Sequence, residues 1–200
     1  MWACASMTTP SEMSFPRATA EHDPARAVFL VGFMGAGKTS VGQALATALG
    51  WRFVDLDARI VARMGRSVAE IFEHDGEAGF RRVETNELRL LLTELDTENT
   101  VVSLGGGAWM QPANVALLRE ASLPVLHLDA PVDELWQRCQ PQQGTRPLLQ
   151  NENDFRRLYE ARRAAYQAGT LRVETQERSV EEVAQHIGLL LGLAGTNATT

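Results

Sequence analysis

The 200-residue sequence has almost no lysine: Lys38 is the single lysine among 19 basic residues, and the other 18 are arginine. Lysine carries a compact charge on a flexible stem, whereas arginine carries a broad planar fork, so the two are not interchangeable at a tight site. A lone lysine therefore indicates either a biased composition or a position where arginine does not fit.

Cysteine is also scarce, with Cys4 and Cys139 far apart in the sequence. Neither lies in a Cys-x-x-Cys or Cys/His pattern, which argues against a zinc site or a disulfide scaffold and favours a reducing compartment. No apolar run reaches the ~18 residues that span a bilayer. The first residues also lack the basic and apolar regions of a secretory signal. We therefore expect a cytoplasmic protein with no membrane partner.

The overall charge and composition are those of one acidic globular domain. The net charge is −6 and the pI is about 5.3, which argues against binding to nucleic acid through bulk charge. Residues 1–25 are rich in Ser, Thr and Pro without periodicity and predict a disordered leader, in which Met7 and Met13 are alternative starts. We expect a single domain over 26–192 and a flexible tail over 193–200.

Short apolar runs predict five strands and the intervening segments predict helices. The strands are predicted at 27–31, 52–55, 101–104, 124–128 and 171–173, and helices at 38–49, 112–119, 132–139, 154–168 and 179–191. A capping box from Ser67 to Glu70 opens a further helix, and a second one from Ser179 to Glu182 opens the last helix. A long amphipathic helix covers 80–95. This alternation predicts an α/β fold with a parallel sheet and helices on both faces. Ligands of such sheets bind beyond the carboxyl ends of the strands.

The segment after the first predicted strand matches the phosphate-binding pattern G-x-x-x-x-G-K-[ST], from Gly32 to Thr39. Its glycines let backbone N–H groups approach phosphate oxygens, and the helix that follows adds its positive end. Lys38 is expected to reach the β and γ phosphates, and the Thr39 hydroxyl to bind Mg²⁺. The alternative is a glycine-rich turn with no ligand. The predicted ATP-binding residues here are Gly35, Ala36, Gly37, Lys38, Thr39 and Ser40.

Two carboxylates, Asp55 and Asp57, come at the end of the second predicted strand. Strand alternation predicts that both point to the same side. One of them can hold the metal through water, and the other can orient and deprotonate an attacking hydroxyl. The alternative is that they only cap the following helix.

Arginines and glycines further along the chain are candidates for the second substrate. Arg81 and Arg82 lie in the long helix, Gly105–Gly107 follows the third strand, Arg146 lies in a polar loop, and Arg162 lies in the next helix. Taken singly, the arginines are equally explained as solvated surface, and the glycines as a tight loop.

Taken together, the motifs resemble those of the shikimate kinase family from about residue 28 to 187. Their order and spacing are far more specific than any one motif. The similar segments, besides the phosphate-binding loop, are 54–57, 65–72, 75–77 with 80–84, 103–108 and 146–149.

The resemblance implies a P-loop NTPase fold, a three-layer αβα sandwich with a five-stranded parallel sheet of order 2-3-1-4-5. It implies transfer of the γ-phosphoryl group of ATP to the 3-hydroxyl of shikimate, a reaction of aromatic amino acid biosynthesis, with Mg²⁺ as cofactor. The acceptor-binding region is expected around 57–85 and a lid around 140–150. The site residues implied are Asp57, Lys38 and Arg146 for catalysis; Arg138 and Arg146 for ATP in addition to the phosphate loop; Thr39 and Asp55 for the metal; and Asp57, Arg81, Gly105, Gly106, Gly107 and Arg162 for shikimate.

The resemblance also implies supporting roles and leaves some positions open. Phe80 and Glu84 are expected to shape the acceptor pocket, with Glu84 orienting Arg81. Arg162 and Arg163 are adjacent candidates for one role. Trp109 is a bulky residue beside the glycines, and Cys139 stands where a second basic residue is common.

Other functions remain alternatives at this point. A related kinase for gluconate or a nucleoside monophosphate would share the phosphate loop, and a nucleotide-binding regulatory module would share the fold without transfer. The constellation of acids, arginines and glycines favours shikimate, and the family resemblance favours a monomer.

Overall fold

The computed structural model describes residues 26–95, 97–140, 151–168 and 170–193. Within these ranges the strands are β1 Ala27–Val31, β2 Arg52–Asp55, β3 Thr100–Ser103, β4 Val125–Asp129 and β5 Leu171–Glu174. The helices are α1 Lys38–Leu49, α2 Leu56–Met64, α3 Val68–Glu94, α4 Pro112–Glu120, α5 Val132–Cys139, α6 Glu152–Gln167 and α7 Val180–Leu190, with a short 3₁₀ helix at Ala108–Met110. None of the helices in these ranges is long and apolar enough to cross a membrane.

The five strands form one parallel sheet in the order β2-β3-β1-β4-β5. The predicted α/β fold, its strand order and its helices on both faces are confirmed. Strand β1 lies at the centre and is buried along its whole length, as expected for a parallel strand covered on both faces. The register pairs Leu30 with Ser103 and Val31 with His127. The loops that follow β1 and β3 therefore leave the sheet side by side.

Local signals in the sequence set several helix ends. Ser67 with Glu70 and Ser179 with Glu182 each form the predicted capping box, and Gly50 ends α1 in the left-handed conformation. Helix α3 joins the two helices predicted around residue 76, because only Gly76 (φ 68°, ψ 177°) departs from helical geometry between them. The chain therefore bends at Gly76, which lies within the predicted acceptor region.

The second strand has its predicted bounds, but the expectation that strand alternation continues to Asp57 is wrong. Strand β2 ends at Asp55, and Asp57 lies in the first turn of α2. The Asp55 side chain accepts a hydrogen bond from the Ala58 N–H at 3.2 Å and so caps this helix. Helix α2 begins directly after Asp55 because the carboxylate at the N-cap accepts a hydrogen bond from a first-turn N–H, which has no acceptor within the helix.

Some predictions lie outside the described residues. These are the leader over 1–25, the lid segment with Arg146, and all but the first residue of the tail.

Candidate active site

The predicted phosphate loop connects β1 to α1, and its glycines are required by close packing. Gly35 has φ 80°, and a Cβ there would lie 2.6 Å from the Leu135 carbonyl oxygen and 3.0 Å from Sγ of Cys139. Helix α1 begins at Lys38, directly after Gly37. Its first-turn N–H groups have no intrahelical acceptors and lie at the positive end of the helix, which makes them an anion site.

Lys38 and Thr39 extend this site toward β2. The Lys38 ammonium donates to the carbonyl oxygens of Gly32 and Phe33, at 2.9 and 3.1 Å, so it is held over the loop. The Thr39 hydroxyl donates to Oδ2 of Asp55 at 3.0 Å. A hydroxyl and a carboxylate at this separation are oxygen ligands of the kind that Mg²⁺ takes beside a bound phosphate. Thr39 and Asp55 therefore fit the predicted metal site, and Asp55 caps α2 as well.

The acceptor side of the site is built on α2 and α3. Asp57 packs against the glycine loop, since a Cβ on Gly105 would lie 2.7 Å from Oδ1 of Asp57 and 3.2 Å from Oε1 of Glu84. A Cβ on Gly107 would lie 2.7 Å from Cζ of Arg81. A side chain at position 105 or 107 would therefore displace the charged groups of Asp57 or Arg81 from the backbone of this loop.

Arg81 is fixed on several sides. Its Cζ lies 5.9 Å from the Phe72 ring centre and 5.2 Å from that of Phe80, and the two rings are 4.6 Å apart. Its Nη1 donates to both carboxylate oxygens of Glu84, at 3.1 and 3.0 Å, and Nη2 donates to Glu77 at 3.3 Å. The cation–π contacts with the two rings and the hydrogen bonds to both Glu84 oxygens hold the guanidinium in one orientation, in which it faces the cavity.

Glu84 is a fully buried carboxyl group beside this arginine. Burial raises the pKa of Glu84 to about 7; the nearby Asp57 charge adds to the rise, and the positive charges of Arg81 and Arg162 oppose it. The net charge of the acceptor site therefore changes near neutral pH.

The glycine loop after β3 is held from the opposite side by α6. Arg162 Nη1 donates to the Gly106 carbonyl at 3.2 Å, and the Tyr166 hydroxyl donates to the same oxygen. Arg163 instead lies near Asp129 and Arg172, away from the glycines. Of the two adjacent candidates, Arg162 is the one that reaches the site.

The nucleotide side and the acceptor side line one cavity of about 320 Å³, which is the size of a small-ligand site. Three basic and three acidic side chains face it, with apolar side chains on one wall. The lining residues named by the sequence prediction are Lys38, Thr39, Asp55, Asp57, Phe80, Arg81, Glu84, Gly105, Gly106, Gly107 and Arg162.

Other predicted residues lie around this cavity. Arg138 reaches the phosphate loop through the Gly35 carbonyl at 3.5 Å and is anchored to Thr175, whose carbonyl it meets at 3.0 Å. Cys139 is buried beneath Gly35. Trp109 is buried against α6, where its Nε1 donates to the Ala165 carbonyl at 2.9 Å. Ala36 is buried and Ser40 is exposed.

Sequence reasoning gave no role to several residues of the site. Phe72 lies in one of the family-like segments, but a straight helix would place it about 12 Å along the axis from Phe80. The kink at Gly76 brings the two rings into contact. Tyr166 could have been found from the sequence, because residues four apart share a helix face and Arg162 is a predicted site residue. The other unassigned lining residues are Met34, Val68, Ala69, Ser103 and Leu104.

Known proteins resemble this chain over most of its length. It matches the family model described as Shikimate kinase over residues 34–191. It is 45% identical over 165 residues to a shikimate kinase from Geobacter sulfurreducens, covering 81% of this chain and 88% of that protein. It is 43% identical over 168 residues to a shikimate kinase from Thermus thermophilus, covering 82% and 89%.

A solved structure agrees with these relatives. The shikimate kinase from Acinetobacter baumannii in complex with shikimate superposes with a TM-score of 0.76 and 36% identity, over 85% of this chain and 95% of that one. The family match runs from the phosphate loop into the loop after α7 and includes every site residue within the described ranges. This protein therefore belongs to the shikimate kinase family.

Proposed function

We propose that this protein transfers the γ-phosphoryl group of ATP to the 3-hydroxyl of shikimate, giving shikimate 3-phosphate and ADP. The observation that carries the proposal is the single cavity of about 320 Å³ lined by Lys38 and Thr39 at one end and by Asp57, Arg81 and Arg162 at the other. A phosphate donor and an anionic acceptor bound there would lie next to each other.

The phosphate loop is the proposed site of the ATP phosphates. Its backbone N–H groups and the start of α1 bind the phosphate oxygens. Lys38 leaves the carbonyls of Gly32 and Phe33 to follow the β and γ phosphates. Arg138, anchored beside Gly35, borders the adenine.

Mg²⁺ is the proposed cofactor, with the Thr39 hydroxyl as a direct ligand and Asp55 as support through water. When bound, it neutralises charge on the phosphate oxygens. The protein's own share is the geometry, because Asp55 is fixed as the cap of α2 and its second oxygen accepts from Thr39.

Shikimate is the proposed acceptor because the far end of the cavity suits an anion with hydroxyl groups. Arg81 and Arg162 supply guanidinium forks for a carboxylate, and the glycines expose backbone to ring hydroxyls. Asp57 orients the reacting hydroxyl and accepts its proton as the oxygen bonds to the γ phosphorus. The bond from that phosphorus to the β–γ bridging oxygen breaks, and ADP leaves with the electron pair. Transfer of this kind depends on positioning and charge more than on covalent chemistry.

The remaining assignments belong to the same proposal. Arg146 closes over the phosphates and stabilises charge in the transition state, on a lid at about 140–150. The catalytic domain covers 26–192. The protein acts in the cytoplasm as a monomer, with ATP and shikimate as its small-molecule partners.

The test is ADP release from ATP and Mg²⁺ with shikimate, gluconate, AMP or no acceptor added. We expect release that depends on shikimate alone, and phosphorus NMR of the product should place the new phosphate on the 3-hydroxyl. Release with gluconate or AMP instead would keep a kinase and overturn the acceptor assignment.

Lys38→Met provides the control for this assay. It removes the charge that follows the transferred phosphate, so we expect release to be abolished while the protein remains folded. Full activity of Lys38→Met would contradict the phosphate-loop assignment. ATP binding by folded wild-type protein without release for any acceptor would favour a regulatory module.

A further inference from the structure

We propose that Tyr166 is a positioning residue that holds the Gly105–Gly107 loop in the form that binds the acceptor. The inference rests on the proposed function and adds a residue that does not itself line the cavity. It is carried by the hydrogen bond from the Tyr166 hydroxyl to the Gly106 carbonyl and by what surrounds that bond.

The loop has no side chains of its own with which to fix its shape. Gly105 and Gly107 instead pack against Asp57 and Arg81, which are the groups proposed to hold the acceptor. Gly106 stands between them, so a rotation of its peptide group would displace both contacts. The orientation of this carbonyl is therefore a property of the acceptor site.

Two donors from α6 meet the Gly106 carbonyl. Arg162 and Tyr166 are four residues apart, so they lie on one face of the helix and reach the same oxygen. Arg162 is also a proposed ligand of the acceptor carboxylate. If its guanidinium turns to that carboxylate, its hydrogen bond to Gly106 is weakened, and the Tyr166 hydroxyl remains to hold the loop.

The tyrosine is well fixed for this role. It is 2% exposed, and its ring stacks on His127 of β4 with centres 5.0 Å apart and planes at 13°. Burial raises the pKa of Tyr166 to about 12, so its hydroxyl keeps its proton over the working pH range. A buried, protonated donor on α6, stacked on His127 of β4, thus gives the Gly106 carbonyl a fixed partner.

Neighbouring contacts anchor the end of the loop to α6 and to α4. Trp109 donates to the Ala165 carbonyl at 2.9 Å, and Asn114 donates to the Ala108 carbonyl at 3.0 Å. These bonds fix the 3₁₀ helix that follows Gly107. The Gly106 carbonyl is instead held by its hydrogen bonds from Tyr166 and Arg162.

The chain supplies a matched control for testing this role. It contains two tyrosines, and Tyr159 lies on the same helix, is also buried, and donates to the Ala130 carbonyl at 3.5 Å. Its ring packs against Phe33 of the phosphate loop, with centres 5.5 Å apart. Tyr159→Phe and Tyr166→Phe thus remove the same atom from the same helix, one beside each half of the cavity.

The first experiment measures kcat, the KM for shikimate, the KM for ATP and Tm in the wild type and both variants. For Tyr166→Phe we expect the KM for shikimate to rise about 3- to 10-fold, as for loss of one hydrogen bond. We expect the KM for ATP to stay within about 2-fold. Tyr159→Phe should leave the KM for shikimate unchanged.

Three results would overturn the inference. These are an unchanged KM for shikimate in Tyr166→Phe, an equal rise in the KM values for both substrates with a lowered Tm, and an equal effect of the two variants on shikimate. If wild-type protein releases ADP without any dependence on shikimate, the proposed function fails and this inference with it. The two failures are therefore distinguishable in one set of assays.

A second measurement keeps the test open even if Tyr166→Phe does not fold. Protein grown with 3-fluorotyrosine has two ¹⁹F signals, and Tyr159→Phe protein, which retains only Tyr166, identifies the Tyr166 signal. We expect shikimate to shift the Tyr166 signal and to leave that of Tyr159 in place. A Tyr166 signal that does not move at saturating shikimate would overturn the inference.

Discussion

Single charged residues in this site work through the neighbours that hold them. Arg81 has one orientation because two aromatic rings and Glu84 surround it. Glu84 in turn is fully buried, and this burial is the main cause that raises its pKa to about 7. Asp57 meets the loop at Gly105 because no side chain stands in the way. The positions of these charged groups therefore depend on the glycines beside them as well as on their own partners.

Asp57→Asn tests the proposed base directly. The amide keeps the size of the side chain but cannot accept the proton of the reacting hydroxyl. We expect kcat to fall by about 10²-fold or more, in the range for loss of a general base, while ATP affinity changes little. The measurement is steady-state kinetics with ATP binding measured separately by calorimetry.

Asp133→Asn is the control for that substitution, because Asp133 is exposed on α5 and does not line the cavity. It should leave kcat unchanged. Unchanged turnover in Asp57→Asn would remove Asp57 from catalysis.

Glu84 predicts a pH dependence of stability. Its pKa is about 7 in the folded protein, against an ordinary value of 4.5. Between these values the unfolded chain has lost the proton and the folded protein retains it, so the free energy of unfolding decreases as pH rises. The contribution of Glu84 is complete at low pH, is lost through about pH 7, and amounts to roughly 3 kcal/mol.

Comparison with Glu84→Gln isolates this contribution, because glutamine cannot ionise. Urea unfolding of both proteins from pH 4.5 to pH 8 should show the variant gaining stability relative to the wild type as pH rises. A difference that is constant with pH would show that Glu84 titrates in the ordinary acidic range.

At the scale of elements, α2 and α3 are joined by a network of ion pairs behind the acceptor site. Arg59 donates through Nε to Glu87 and through its Nη atoms to Glu94 at 2.7 and 2.6 Å. Arg63 reaches the other Glu87 oxygen at 2.5 Å. Glu87 is 1% exposed. Because α2 carries Asp57 and α3 carries Arg81, which are both proposed to bind the acceptor, this network helps to set the distance between the two side chains.

Glu87→Gln is expected to destabilise the protein by about 2–4 kcal/mol, because two arginines lose a buried partner. The loss is at the lower end of that for fully buried pairs, since half of the Arg63 side chain is exposed. The measurement is urea unfolding at constant pH.

Glu152→Gln is the matched control, because it breaks an exposed pair with Arg156 on α6. Such pairs contribute below about 1 kcal/mol. Equal losses in the two variants would mean that burial of Glu87 does not strengthen its pairs.

At the scale of the whole molecule, the described residues contain the five-stranded sheet and the cavity beside it. Strand β1 starts at Ala27, and the Arg26 carbonyl before it accepts from the Thr100 N–H at 2.9 Å. A catalytic domain that begins at residue 26 therefore retains every described contact of the central strand.

Deletion of residues 1–25 tests this domain boundary. We expect kcat and both KM values to stay the same and Tm to change by less than about 2 °C, which corresponds to below about 1 kcal/mol for a chain of this size. Deletion of residues 1–31 removes the central strand and should prevent folding. A Tm lowered by more than about 5 °C on the first deletion would show that the leader contributes to the fold.

The strength of the sequence prediction differed with the range of the interactions involved. The phosphate loop, both capping boxes and the central strand depend on neighbours within a few residues, and those predictions are confirmed. Strand alternation is wrong for Asp57, because the helix cap at Asp55 ends the strand there. The contact of Phe72 with Phe80 could not be predicted, because it requires the left-handed turn at Gly76 inside a helix.

The sequence by itself determined the parallel α/β fold, the phosphate loop and the family, because these depend on local patterns and on motifs in a fixed order. The tertiary structure decided which of Arg162 and Arg163 enters the site, that Trp109 packs against α6, and that the Glu84 side chain is fully buried. Each of these depends on the direction of a side chain relative to a distant element. Such directions are fixed by packing between helices and sheet, which no local pattern encodes.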